Sequence, residues 1–505
     1  MKSNLKQNEI YEIIDIYFKK KSNLLLKEKI LKSKIQNDYH EKIADVLDIV
    51  SNEPLKDYEK IVNELSLNKE CFELIIEVIR SDEKFQDYII NNGLGTKYWK
   101  NMIIPLIKSK SINKFVNKEY AYPFRVGLYP GLSCMFECSF CGRNYKAKYE
   151  RSALDRGIDM YKELISDAPK DDKNRFYISG GLEPLTNPKL GEIISTLKKY
   201  NFNTSMYTNA YMLTKKYLDK NNEIFDLNSL RVSFYGINSK NTLEVTKKNK
   251  AFETVTQNIK SYLIEKEKIN SKTSFGLNFV ILKNRERDVI ELLNLISKIN
   301  EDINLKKNNS FDFLTLREDF SIDGNRMTSN ERKVLSDSLI EIDEMLKNKK
   351  YLKDLLIDYG FALEPLKKGI TSEKFENIFV EKEDLFSMGV PQSSVAVDLY
   401  GDVYLYREAA FLDRPGAKRY IIGNLLEKKT MKKVIEEFID KERDFEIMDS
   451  DRNYLDVWDH ISIKLSKQYK NNADYGFSEN NGVLNLNIIS KILNYNHEVH
   501  FAKKK

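Results

Sequence analysis

The chain has 505 residues, 41% hydrophobic and 31% charged, with a formal net charge of +6. This length fits about two to three domains, and the composition is that of a globular chain, neither disordered nor disulfide-stapled. Lysines interleaved with acids, as in KEKI and KKVIEEFIDKER, exclude a nucleic-acid patch. The polar start and the lack of a long apolar run exclude a secretory signal and a membrane span, so a cytoplasmic protein is expected.

Residues 1–118 read as a helical domain. Phe72, Ile75, Ile76 and Ile79 recur at helical spacing and predict one buried stripe. Cys71 lies in that stripe and reads as a core thiol. Asn92, Gly93 and Gly95 mark a break before Tyr98 and Trp99.

The pattern changes after Pro123. Short apolar runs predict strands at Phe124 to Pro130, Arg175 to Ser179, Asn203 to Thr208, Arg231 to Gly236, Phe275 to Leu282 and Phe311 to Leu316. Amphipathic helices separate them. One is expected to be capped by Asn187, with Pro188 in its first turn and Leu190, Ile193, Ile194 and Leu197 on one face. A second carries Phe252, Val255, Ile259 and Leu263. Strand–helix alternation predicts an α/β fold with a parallel sheet and right-handed crossovers. Six units are too few to close an eightfold barrel, so residues 119–325 are expected to form a partial (β/α)6 barrel. In such folds the loops at the C-terminal strand ends carry the chemistry.

The loop after the first strand reads CMFECSFC and holds Cys134, Cys138 and Cys141 out of only four cysteines in the chain. Three thiolates can hold three corners of a four-iron cluster and leave one iron open. A structural zinc site wants four ligands; a zinc knuckle is the competing reading. With Phe140 the run becomes C-x3-C-x-Φ-C and resembles the signature of the radical S-adenosylmethionine (SAM) superfamily. SGGLEP follows the second strand, where that superfamily has a GGEP-like run. There Gly180 and Gly181 let the backbone come close, and Glu183 can accept from the ammonium of SAM. Asn209 and Ser233 are further polar groups for the cofactor. Tyr235, on the same side of the fourth strand as Ser233, is placed at the substrate, and Asn278 lines the fifth strand.

Residues 326–470 read as a C-terminal α+β region, with a helix over Asn330 to Lys347 and helical patterns returning from Met431. VAVDLYGDVYLYRE predicts a β-hairpin turning at Gly401–Asp402. Alternation puts Tyr404, Tyr406 and Glu408 on one face. The sixth strand runs into Arg317–Glu318–Asp319, and Arg317 and Arg407 can grip a diphosphate by forked hydrogen bonds; a salt-bridged rim is the alternative. Residues 471–505 form a polar tail.

YWKNMIIPL, GLYPGLSCMFECSFC, SGGLEPLTNP, LREDF and VDLYGDVYLYREA, taken in order, resemble the family of TDP-4-amino-4,6-dideoxyglucose deaminases of desosamine biosynthesis. The resemblance implies a lyase that uses one 4Fe-4S cluster, held by Cys134, Cys138 and Cys141, and SAM. It implies hydrogen abstraction from C3 of a nucleotide-linked amino sugar, loss of ammonia from C4, and a keto-deoxysugar product. LREDF and YLYREA would reach the sugar nucleotide, and Glu318 and Glu408 are candidates to take the hydroxyl proton or hold the ammonium. A flavodoxin or ferredoxin-type electron donor is implied as a partner. A dehydrogenase or epimerase of a nucleotide sugar would begin with the same abstraction. A peptide-modifying enzyme fits less well, because no cysteine lies beyond Cys141 to hold an auxiliary cluster.

Overall fold

The computed structural model describes residues 4–19, 39–52, 58–82, 84–85, 88, 106, 109–141, 146–319, 327–359, 363, 366–367, 389–427, 430–440 and 455–472. The polar tail beyond 472 and most of YWKNMIIPL lie outside them. Two compact units emerge. Among described residues the first runs to Asn117 and resumes at His460, and the second runs from Lys118 to Asp459.

The first unit is helical: α1 (Asn4–Lys19), α2 (Tyr39–Asn52), α3 (Tyr58–Glu64), α4 (Lys69–Ser81) and α5 (Ser111–Val116). The helical stripe is realised in α4, where Phe72, Ile75, Ile76 and Ile79 are fully buried. Asn68 caps it by accepting from the Cys71 amide at 2.8 Å. Cys71 itself is buried in this helix.

In the second unit the six apolar runs become β1 (Arg125–Tyr129), β2 (Phe176–Ile178), β3 (Ser205–Thr208), β4 (Ser229–Phe234), β5 (Ser274–Ile281) and β6 (Phe313–Glu318). Between them lie α6 (Ala153–Asp167), α7 (Leu190–Lys199), α8 (Lys215–Leu218), α9 (Ser239–Thr246), α10 (Ala251–Lys268) and α11 (Asp288–Ile303). The six strands are parallel and adjacent in chain order. The regular turns of α7 begin after Lys189, and Asn187 Oδ1 accepts from the Lys189 amide at 2.8 Å just ahead of them. Asn187 is fully buried, and its amide donates to the Pro130 carbonyl at 2.8 Å, fastening the loop after β2 to the end of β1.

The sheet does not stop near residue 325. After α12 (Ser329–Asn348) come β7 (Leu356–Asp358), β8 (Ser394–Asp398), β9 (Asp402–Tyr404) and β10 (Ile421–Asn424). They complete a ten-stranded sheet in the order β10-β9-β8-β1-β2-β3-β4-β5-β6-β7. β7 runs parallel to β6, and β8 runs parallel to β1. Six strands alone would expose two unpaired edges, and the C-terminal segments cover both. The hairpin is present as β8 and β9, with Ala396 opposite Tyr404. Gly401 takes φ +81 in its turn, and Asp398 Oδ1 accepts from the amides of Tyr400 and Asp402, both at 3.0 Å. Helices α13 (Met431–Asp440) and α14 (Val457–Asn472) follow. No helix among the described residues is long and apolar enough to cross a membrane.

One buried ion pair fixes β6 to α12. Arg332 Nη1 meets both carboxylate oxygens of Glu318 at 2.6 Å. The side chains are 11% and 3% exposed. Arg332→Met should therefore destabilise the fold by about 3–5 kcal/mol, because it takes from a buried carboxylate the cation that meets both its oxygens. Adding Glu318→Met should recover most of that loss; equal denaturation midpoints for the single and double variants would contradict the pairing.

Candidate active site

The cysteine loop leaves the C-terminal end of β1 and is held on two sides. Toward α9, the amides of Glu137 and Ser139 donate to the carbonyls of Thr246 (2.9 Å) and Val245 (3.2 Å). Toward the loop after β2, the Thr186 hydroxyl accepts from the amides of Leu132 (2.9 Å) and Ser133 (3.1 Å) and donates to the Glu183 carbonyl at 2.6 Å. The Glu183 amide returns a bond to the Ser133 carbonyl at 2.9 Å. Cys138 is buried, and Cys134 and Cys141 are half-buried.

The thiols share a neighbour. Burial raises the Tyr235 phenol well above its ordinary value; after burial the next cause is Cys138, and Cys134 and Cys141 add to it. One ring oxygen is thus within electrostatic reach of all three sulfurs. The Tyr235 ring packs against Phe140 at 5.6 Å and Phe136 at 6.1 Å, and its hydroxyl bonds Ser233. Asn209 approaches from β3, its amide nitrogen 3.7 Å from Cys134 Sγ and 3.3 Å from Met135 Sδ. Among the described residues no three His, Cys, Asp or Glu side chains are arranged for a single metal ion. A four-iron cluster asks for something else, one thiolate at each of three corners. Three cysteines on one loop, all in electrostatic reach of one phenol, fit that demand, and Cys134, Cys138 and Cys141 are the residues that would hold it.

Glu183 sits at the centre of this end of the sheet. It is 4% exposed. Its Oε1 accepts from Leu185 N at 3.1 Å and Thr208 Oγ1 at 2.5 Å, and its Oε2 accepts from Asn209 N at 2.8 Å. Burial raises its pKa despite these bonds, which favour the anion. Three donors leave room on Oε2 for one more, the place open to a ligand ammonium. Gly180 takes φ +149, a conformation that disfavours a side chain. At Gly181 the close neighbour is Phe411, whose ring and Cα occupy the space an added Cβ would need. That glycine is required by protein packing, which differs from the ligand approach expected of it.

Farther along the sheet the structure brings Arg317, Arg407 and Glu408 together. Burial raises the Glu408 carboxyl, opposed by Arg414, Arg407 and Arg317 in that order. Arg317 is the exposed residue of a strand otherwise buried. Arg407 is anchored: it pairs with Asp456, and its Nη1 donates to the Tyr177 hydroxyl at 3.1 Å. Its backbone amide bonds Asp459, whose carboxyl burial pushes up to about 7.

Three expected residues do not join this group. Glu318 lies on the face opposite Arg317 and is engaged by Arg332. Tyr404 is buried and bonds Asp398, which also accepts from Tyr149 at 3.0 Å. Tyr406 is 1% exposed and packs edge-on against Tyr420 at 4.9 Å. The strand ends at Tyr404, and a 3-10 turn over Arg407–Ala409 breaks the alternation that would have aligned the tyrosines with Glu408. Conversely, Tyr207 and Arg231 went unnoticed. Tyr207 is within reach of Arg231, Arg317 and Arg407. The run NTSMYT gives no sign of this, since the arginines come from three other segments.

Comparison with known proteins fits this geometry. The model of the Radical SAM superfamily matches residues 128–296. The chain is 30% identical over 434 residues to the dTDP-4-amino-4,6-dideoxy-D-glucose ammonia-lyase of Streptomyces venezuelae, covering 86% of this chain and 88% of that one. Among solved structures it is similar to Streptococcus suis SuiB bound to S-adenosylmethionine, with a TM-score of 0.41, 13% identity and 74% of each chain covered.

Two outcomes follow for the cysteine loop. Cys138→Ala should abolish iron and sulfide retention after anaerobic reconstitution, while Cys71→Ala should leave it intact. Thr186→Val should cost about 1–3 kcal/mol of stability by leaving the Leu132 and Ser133 amides unpaired, and should speed cluster loss. Unchanged cluster lifetime in that variant would show that the knot does not hold the loop.

Proposed function

Because this chain belongs to the radical SAM superfamily, we propose that it removes ammonia from a nucleotide-linked 4-amino-4,6-dideoxyhexose to give a 3-keto-4,6-dideoxysugar. The observation that carries this reading is the reach of the ammonia-lyase likeness. It spans 86% of the chain, far past the residues 128–296 common to the superfamily. When bound, the 4Fe-4S cluster and SAM supply a 5′-deoxyadenosyl radical able to take a hydrogen atom from an unactivated sugar carbon. The protein's share is binding, orientation and proton handling.

Arg317 and Arg407 flank the place where a diphosphate would enter, and forked guanidinium contacts suit it. Arg407 is held by Asp456 and Tyr177, so it offers a fixed donor; Arg317, exposed on its strand, can adjust. Glu408 supplies the carboxylate that meets the substrate's amino group. Its support is its place beside both arginines and a burial that raises its pKa even so, which a further cation would offset. Glu183 and Asn209, next to Cys134, are the groups for SAM. A flavodoxin or ferredoxin-type protein is the electron donor, and a reducing cytoplasm is the compartment that keeps such a cluster intact.

The test is anaerobic incubation with SAM, a reductant and the dTDP-linked 4-amino-4,6-dideoxyglucose carrying deuterium at C3. Ammonia should be released and deuterium should appear in 5′-deoxyadenosine. Deuterium transfer with nitrogen retained would make the enzyme a dehydrogenase or epimerase instead. Arg317→Ala should raise KM by about 10- to 100-fold, matching one charge-assisted contact of about 1.5–3 kcal/mol.

A further inference from the structure

The reaction just proposed needs a proton acceptor. Removing the C3 hydrogen leaves an α-hydroxyalkyl radical, whose hydroxyl proton must go as the C4–N bond breaks. Glu318 is sequestered by Arg332 and cannot serve. The interior of the sheet presents another oxygen.

Tyr207 lies on β3 opposite Arg231 of β4, so it shares a face with Ser233, two residues beyond Arg231 and about 7 Å farther along the strand. Ser233 bonds the Tyr235 hydroxyl, which is in electrostatic reach of the three cysteines. Tyr207 is therefore set one pleat deeper than the cysteine loop. In register it pairs with Arg231, Arg231 pairs with Gly276, and Gly276 pairs with Phe313. With no side chain at Gly276, the Arg231 guanidinium lies between two rings, 5.5 Å from the Tyr207 centroid and 4.7 Å from that of Phe313. Arg231 Nη1 also donates to Thr315 Oγ1 at 3.3 Å, and that hydroxyl donates to Asp358 at 3.3 Å. The charged groups facing Tyr207 are Arg231 from β4, Arg317 from β6, Arg407 from the turn after β9, and Asp358 from β7. Three cations face one anion.

We propose that Tyr207 is the catalytic proton acceptor, taking the C3 hydroxyl proton of the substrate radical as a phenolate held by Arg231. This rests on the deaminase reading above. Burial alone would raise the phenol's pKa, but the three guanidiniums outweigh burial and lower it. In the step, the O–H bond of C3 breaks and its proton joins the Tyr207 oxygen. The C4–N bond breaks with both electrons going to nitrogen, so ammonia leaves from the ammonium. The C3 oxygen becomes a ketone and the unpaired electron moves to C4. One electron from the flavodoxin or ferredoxin-type donor and one proton convert the C4 radical to methylene.

The test compares the wild type with Tyr207→Phe, using tyrosine labelled with carbon-13 at Cζ. The resonance missing from the variant should titrate at lower pH than the other tyrosines, and in Arg231→Gln it should titrate higher. With C3-deuterated substrate, Tyr207→Phe should still deliver deuterium into 5′-deoxyadenosine, while ammonia release falls about 10²–10⁴-fold, the usual weight of a general base. The rise of kcat with pH expected of the wild type should vanish. Retained ammonia release with the same pH profile overturns the proposal. So does loss of deuterium transfer in parallel with ammonia, since the residue would then be needed before the proton moves. If the wild type itself releases no ammonia, the deaminase reading fails instead, and the Cζ titration still reports whether Arg231 holds a phenolate.

Discussion

The arrangement depends on the knot between Thr186 and Glu183. One hydroxyl takes two amides of the cysteine loop and gives its proton to a carbonyl of the loop after β2. One carboxylate binds that loop to Thr208 and Asn209 at the end of β3. Three strand ends are thereby set relative to one another without any cofactor. Phe136 and Phe140 give the loop its apolar anchorage on Tyr235, and directed bonds fix the backbone between them. Glu183 is almost fully buried, and losing a donor there would leave an anion without solvent. The knot is thus held by the cost of breaking any part of it.

The parallel sheet does the rest of the positioning. Adjacent parallel strands point all their C-terminal ends the same way, so residues distant in sequence reach one end. Asn209, Ser233 with Tyr235, and Arg317 come from β3, β4 and β6 or their immediate ends. Arg407 and Glu408 arrive by another route, because β8 pairs with β1 and leads through its hairpin to the turn that carries them. The C-terminal segments are therefore part of the site's frame: they cover the free edge of β1 and carry two of its charged residues to the opening.

Much of this was legible in the sequence. The cysteine spacing, the six strand runs and the stripe in α4 depend on local order, and local order is what periodicity reports. What failed depended on distant partners. Glu318 and Arg317 are neighbours in sequence, so a strand must send them to opposite faces, and alternation alone argues that both cannot line one site. Tyr404 and Tyr406 were aligned with Glu408 by carrying that alternation past the point where the strand ends. Asn187 accepts the Lys189 amide ahead of α7 as a cap would, but its other partner, Pro130, lies 57 residues earlier. β7 has only three residues, too few for a period to register. Tyr207 gains its surroundings from arginines on β4, β6 and the turn after β9, and no window of sequence contains them all.

The electrostatics of the opening work in opposite directions on two acids. Glu408 is raised from the carboxylate range because burial outweighs three guanidiniums, while Tyr207 is lowered from the phenol range because guanidiniums outweigh burial. Each pKa moves toward the neutral pH range from its own side. A carboxyl begins at a pKa of about 4, so its anion is a weak base, able to bind but poor at taking a proton from a hydroxyl. A phenol begins near pKa 10, so cations can make it ionise more readily while it stays a far stronger base than any acetate-like group. A carboxyl pushed up by burial, in turn, is suited to meeting an ammonium, since the arriving cation restores the charge that burial opposes. The two residues divide the work by environment: one holds the nitrogen that leaves, and the other receives the proton that lets it go.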